Sequence, residues 1–142
     1  VFASDISTKA LEVAKYNNGK NNTNVRFIES NLFKNIQEQK FNIIVSNPPY
    51  IRSDVINKLS KQVQNEPHLA LDGGEDGLKF YKKIIEQSCN YIENGYLILE
   101  IGYDQKEDVE NLLKENKNYS EIKTIQDLSG NDRCVIAKVG KI

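Results

Sequence analysis

The chain has 142 residues, 39% of them hydrophobic and 27% charged, which is enough for one soluble-type domain with a sizeable core. Its 19 basic and 20 acidic side chains leave a formal charge of −1 and exclude the broad positive field by which nucleic acids are held nonspecifically. No apolar run approaches the roughly 20 residues a membrane-spanning helix requires, and the N-terminus has no signal-peptide pattern.

Val1 to Ala3 reads as the end of a strand finishing at Asp5, and Ser7 caps a helix from about Thr8 to Asn17, closed by Asn18-Gly19. Val25 to Ile28 alternates as a second strand, with Ser30-Asn31 at its exit. Phe41 to Val45 has the length and β-branched content of a buried strand. Ile56, Leu59 and Val63 recur at helical spacing until Glu66-Pro67 interrupts, and the glycine and aspartate density from Ala70 to Gly77 predicts a loop.

Leu78, Tyr81, Ile85, Ser88 and Ile92 mark one face of a long helix ending at Asn94-Gly95, ahead of a strand from Tyr96 to Ile101. A helix from Gln105 to Asn116 packs through Val109, Leu112 and Leu113, and strands from Glu121 to Ile125 and Cys134 to Val139 follow. Strands alternating with helices predict an α/β fold, and no internal repeat interrupts the order. The chain has no methionine and opens inside a strand, so a fragment of a longer protein is expected. Cys89 and Cys134 lack metal-ligand spacing and read as reduced thiols, which points to a cytoplasmic location; with His68 the only histidine, no metal site is expected.

The most informative segment is Asn47-Pro48-Pro49-Tyr50, directly after the third strand. Proline cannot donate to a ladder, so the strand must end there, and a residue before proline is driven out of the helical region. Asn47 and Pro48 are therefore held rigidly at a strand's carboxyl end, where open α/β sheets bind ligands. The Asn47 amide oxygen and the Pro48 carbonyl supply two acceptors suited to a planar NH2 group. Accepting both hydrogens orients the nitrogen and raises its electron density toward an incoming methyl, with no strong base required.

This tetrapeptide resembles the hallmark of amino-methyltransferases that use S-adenosylmethionine. With Asn65-Glu66-Pro67, Ala70 to Leu78, Ser4 to Ser7, Ser30 to Phe33 and Asp127 to Arg133, the chain is similar to the HemK/PrmC family over nearly its whole length. The resemblance implies a Rossmann-like class I methyltransferase fold, with residues 1–142 forming a single C-terminal methyltransferase domain fragment. It further implies that the first strand and helix, with the glycine-rich cofactor turn, precede residue 1. The implied reaction moves a methyl group from S-adenosylmethionine, leaving S-adenosylhomocysteine, to the glutamine amide of the Gly-Gly-Gln motif in peptide-chain release factors. The alternative is an amino-methyltransferase of adenine or guanine in DNA or RNA, although the charge balance speaks against a nucleic acid as direct substrate.

The resemblance assigns Asn47, Pro48 and Tyr50 to catalysis, Asp5, Ile6, Asn31, Leu32 and Asn47 to the cofactor, and Asn47, Pro48, Pro49, Tyr50 and Glu66 to substrate. Each has a plainer reading beside it. Asp5 either accepts from ribose hydroxyls or caps the helix near Ser7. Asn31 stands where relatives typically carry an acid, with Leu32 placed to stack on adenine. Tyr50 either walls the planar amide or simply packs, and Glu66 either reaches substrate or ends a helix with Pro67.

Glu100 and Gly102 are secondary candidates, and Arg133 is expected to pair with Asp127 or Asp132. The Gly73 to Gly77 loop follows no buried strand and carries carboxylates, so a phosphate-cradling role is rejected. Because the family's first strand lies in mid-sheet, the isolated chain is expected to close the gap, pair with a second copy or swap a strand. The chain alone is expected to be weakly active or inactive.

Overall fold

A computed structural model describes residues 1–37 and 39–140. The chain divides into two compact units, 1–39 and 40–142.

In the first unit, β1 (Phe2–Asp5) and β2 (Arg26–Glu29) pair in parallel through α1 (Thr8–Lys20), with Phe2 opposite Arg26 and Asp5 opposite Glu29. Ser7 is the N-cap as expected: its hydroxyl accepts from the Ala10 N–H at 3.2 Å. The helix runs three residues beyond the expected end at Asn17. Asn18 does not break it, because its side-chain oxygen serves the next turn, accepting from Thr23 Oγ1 at 2.8 Å and Val25 N at 3.0 Å. The left-handed residue that leaves the helix is Asn22, at φ 52°, and not Gly19.

The second unit is built on a four-stranded sheet in the order β3-β4-β6-β5. Here β3 (Phe41–Ser46) and β4 (Ile92–Glu100) are parallel, while β5 (Tyr119–Gln126) and β6 (Asp132–Val139) form an antiparallel hairpin whose β6 pairs antiparallel with β4. Two helices, α4 (Lys79–Ser88) and α5 (Lys106–Glu115), bring Tyr81, Ile84, Ile85, Val109 and Leu113 into a core with Leu97, Leu99, Ile101, Val135 and Ala137. Tyr81, Leu99, Ile101, Val109, Val135 and Ala137 are completely buried.

Two expectations are corrected here. Phe41 to Val45 is no buried strand: β3 lies at its sheet's edge, bonded only to β4, and leaves Ile43 55% and Val45 70% exposed. The long helix stops at Ser88 because Ile92, which fits the helical period, instead opens β4 opposite Phe41. Such a residue satisfies either period, and the sheet register decides.

The helix expected across Ile56 to Val63 is also broken. A 3-10 turn at Ile56–Lys58 and a short α2 (Lys61–Gln64) replace it. Leu59 between them is extended, and Gln64 Nε2 donates to the carbonyls of Asn57 and Leu59 at 3.1 and 2.7 Å, taking acceptors a continuous helix would use. A further short helix, α3 (His68–Leu71), occupies the start of the expected loop.

Gly95 is the position where β4 presses on β3: a methyl group there would overlap the Asn42 carbonyl oxygen. Gly95→Ala should therefore lower stability by about 2–3 kcal/mol through forced backbone displacement, read as a lower urea midpoint with an unchanged m-value.

Candidate active site

In the first unit the carboxyl ends of both parallel strands lie along one edge, which brings Asp5 and Ile6 beside Ser30 to Leu32; the Ser30 N–H donates to the Asp5 carbonyl at 3.0 Å. Asp5 Oδ1 accepts from the Ser7 N–H at 2.8 Å, so the capping reading is correct for that oxygen, while Asp5 and Ile6 remain exposed. The chemistry of the remaining carboxylate oxygen fits a ribose hydroxyl. Asn31 is exposed and Leu32 half-buried.

Leu32 takes the left-handed conformation at φ 52°, which costs a non-glycine residue about 1–2 kcal/mol. Buried Ser30 holds it there, donating to the Leu32 carbonyl at 2.7 Å and accepting from the Asn35 N–H at 3.0 Å. Neither the strain nor the Ser30 brace was expected from sequence; a serine directly at a strand exit was the only sign.

In the second unit Asn47 follows the last residue of β3 and is exposed, Pro48 is buried, and Pro49 and Tyr50 are half-buried. Beyond the tetrapeptide the backbone is clamped. Ile51 bridges Asp72 in parallel, its N–H donating to Leu71 O at 3.0 Å and its carbonyl accepting from Gly73 N at 2.8 Å. Ser53 N then donates to Gly74 O at 3.0 Å.

The glycines of this loop allow that approach. A Cβ at Gly73 would stand 2.7 Å from Tyr50 Cα, and one at Gly77, where φ is +73°, would stand 2.6 Å from the Tyr50 carbonyl oxygen. The loop buttresses the tetrapeptide. Asp72 ties it shut, accepting from the Ser53 hydroxyl at 2.7 Å and the Gly74 N–H at 2.9 Å.

The Tyr50 phenol is flanked by Glu100 and Arg133. Burial first, and the Glu100 carboxylate second, push it above its ordinary range, so at neutral pH it is a neutral wall and not a base. Arg133 settles on Asp127, with Nε and Nη2 each 3.2 Å from the same carboxylate oxygen, and donates through Nη1 to Ile101 O at 3.1 Å. Asp132 pairs instead with Lys106 at 3.8 Å. Gly102 is buried at the β4 exit, and Glu66 is exposed at the corner between α2 and α3. The tetrapeptide thus combines an exposed, rigidly mounted amide with a neutral phenol, an arrangement that orients a polar nitrogen and does not deprotonate one.

The family described as Methyltransferase small domain matches residues 1–75. The release factor glutamine methyltransferase of Fusobacterium nucleatum subsp. nucleatum is 45% identical over 138 residues, spanning 94% of this chain and 39% of that protein. That of Thermodesulfovibrio yellowstonii is 40% identical over 144 residues, spanning 99% of this chain and 51% of that protein. The chain therefore spans about half the length, or less, of these curated relatives. Among solved structures, a methyltransferase from Pyrococcus furiosus matches with a TM-score of 0.70 at 22% identity, covering 99% of this chain and 63% of that one. The expected class I S-adenosylmethionine-dependent methyltransferase fold is thereby shown.

Asp72 gives the buttress a pH dependence. The Ser53 hydroxyl, then the Gly74 N–H, hold its carboxyl below the usual range. A depressed folded value stabilises the loop above the unfolded value of about 4 and loses that stabilisation as pH falls through the folded one. Hydrogen exchange at the Gly74 amide, corrected for intrinsic rates, should accelerate on acidification below about pH 4, and Asp72→Asn should remove that acid-dependent step.

Proposed function

Because the chain belongs to the methyltransferase small domain family, we propose that the protein containing it methylates the side-chain amide nitrogen of the glutamine in the Gly-Gly-Gln motif of peptide-chain release factors. The observation that carries the reading is Asn47-Pro48-Pro49-Tyr50 at the exit of β3, clamped by the Gly73 to Gly77 loop. The names of relatives up to 45% identical support the substrate class. The cofactor is S-adenosylmethionine, which when bound supplies an electrophilic methyl group.

Asn47 Oδ1 accepts one hydrogen of the glutamine amide and the Pro48 carbonyl accepts the other, fixing the nitrogen plane. Both acceptors sit on backbone that the prolines have already immobilised, so little reorganisation accompanies the transfer. Tyr50 and Pro49 wall the planar group, the phenol staying protonated. The methylated nitrogen would be an N-protonated amide cation, which is strongly acidic and would lose its extra proton to water, so no tuned base is needed. Asp5 would take the ribose hydroxyls beside Ile6, Leu32 and Asn31 would take the adenine, and the exposed Glu66 would take substrate.

The deciding assay measures labelled methyl transfer by the full-length protein to a release factor, to its Gln→Ala variant in the Gly-Gly-Gln loop, and to duplex DNA. Labelling of the unaltered factor alone is expected; labelling of DNA alone would replace this reading with the nucleic-acid one. Asn47→Ala should reduce turnover at least about 100-fold, the scale of losing one preorganised polar contact, with cofactor affinity changed much less. Asp5→Ala should do the reverse, weakening cofactor binding about tenfold or more in calorimetry.

A further inference from the structure

Gln105 is the buried polar side chain on which three loops converge. It lies at the N-cap position of α5, is 7% exposed, and does not use its side chain to cap the helix. Its Nε2 donates to the Tyr50 carbonyl at 3.1 Å and to the Gly77 carbonyl at 3.3 Å. Its Oε1 accepts from the Gly102 N–H at 3.0 Å, and the Tyr81 hydroxyl, whose single hydrogen goes to the Glu100 carbonyl at 2.8 Å, lies 3.5 Å from it.

Both amide hydrogens and one lone pair of the oxygen are thus engaged, which fixes the amide's orientation: a flip would set an oxygen against two carbonyls and an NH2 against an N–H. The surrounding glycines make the room. A Cβ at Gly77 would stand 2.7 Å from Gln105 Nε2, and one at Gly102 would stand 2.8 Å from Gln105 Oε1.

We infer that Gln105 is a positioning residue of the methyl-transfer site, setting the orientation of Asn47-Pro48-Pro49-Tyr50 through its hydrogen bond to the Tyr50 carbonyl. The inference rests on the function proposed above. The two prolines have fixed φ, so the tetrapeptide keeps few free torsions between the Asn47 amide and the Tyr50 carbonyl. Holding the Tyr50 carbonyl at one end, while β3 holds the other, determines where the Asn47 and Pro48 acceptors point. Gln105 is buried and acts through backbone 55 positions earlier in the chain.

Two variants of the full-length enzyme separate positioning from mere packing. Gln105→Glu keeps the shape but loses both donors when ionised, and burial among carbonyls raises its carboxyl value, so protonation returns one O–H donor. Gln105→Met fills the space with no donor at any pH. With the release factor as acceptor, Gln105→Met should lower kcat about 10- to 100-fold at pH 6 and pH 8, with KM for S-adenosylmethionine within about twofold. Gln105→Glu should show that deficit at pH 8 and regain most of it, relative to wild type, at pH 6.

A Gln105→Met enzyme with wild-type kcat would overturn the inference. Hydrogen exchange at the Tyr50, Ile51 and Ser53 amides, corrected for intrinsic rates, tests the clamp with no acceptor present. Faster exchange in Gln105→Met is expected, and unchanged exchange would also overturn it. If wild-type enzyme fails to label the release factor, the functional reading falls, and the exchange data still decide the role of Gln105.

Discussion

Two adjacent prolines remove two amide hydrogens from the exit of β3, so that turn can be held only through its carbonyls and through the residues that follow. Everything around the tetrapeptide answers that constraint. The Tyr50 carbonyl takes a donor from Gln105, and the Ile51 carbonyl takes one from Gly73. Only at Ile51 does the chain donate again, to Leu71. Each donor comes from a segment distant in sequence, so the local rigidity of Pro-Pro becomes a defined direction only when the second unit has folded.

The same logic orders the end of β4. Tyr81 spans from α4 to the Glu100 carbonyl and approaches Gln105, so the helix packed on the sheet and the turn after β4 are joined by one buried polar chain. At the other end of α4, the Tyr119 hydroxyl donates to Ile85 O at 2.6 Å and meets Ser88 Oγ at 2.7 Å. No buried side-chain polar atom among the described residues lacks a partner, so these networks fix register without leaving a group desolvated and unpaired.

Most strands and the tetrapeptide were legible because their signals are local: β-branched runs, period-two alternation and the two prolines. What was not legible depends on tertiary choice. Ile92 fits a helix and a strand equally well until Phe41 pairs with it, and Asn18 reads as a helix end until its side chain is seen to serve Thr23 and Val25. The exposure of Ile43 and Val45 could not be read from a run whose composition is that of a buried strand. Gln105 carried no signal at all, since a glutamine opening an amphipathic helix is ordinary. The glycines at 73, 77 and 102 were visible, but what they make room for was not.

The buried phenols described above also bound the fold from the alkaline side. Burial pushes Tyr81 far above its ordinary range and Tyr119 up to about 12, so each favours the folded state below its unfolded value near 10 and opposes it as pH rises through the folded one. With seven tyrosines and no tryptophan, the near-ultraviolet absorbance of this stretch of chain belongs largely to tyrosine. Because Tyr81 lies on α4 and the Tyr119 hydroxyl donates to Ile85 of the same helix, the ionisation of these two phenols is coupled to the packing of α4 on the sheet. The molecule carries an intrinsic optical gauge of its own interior.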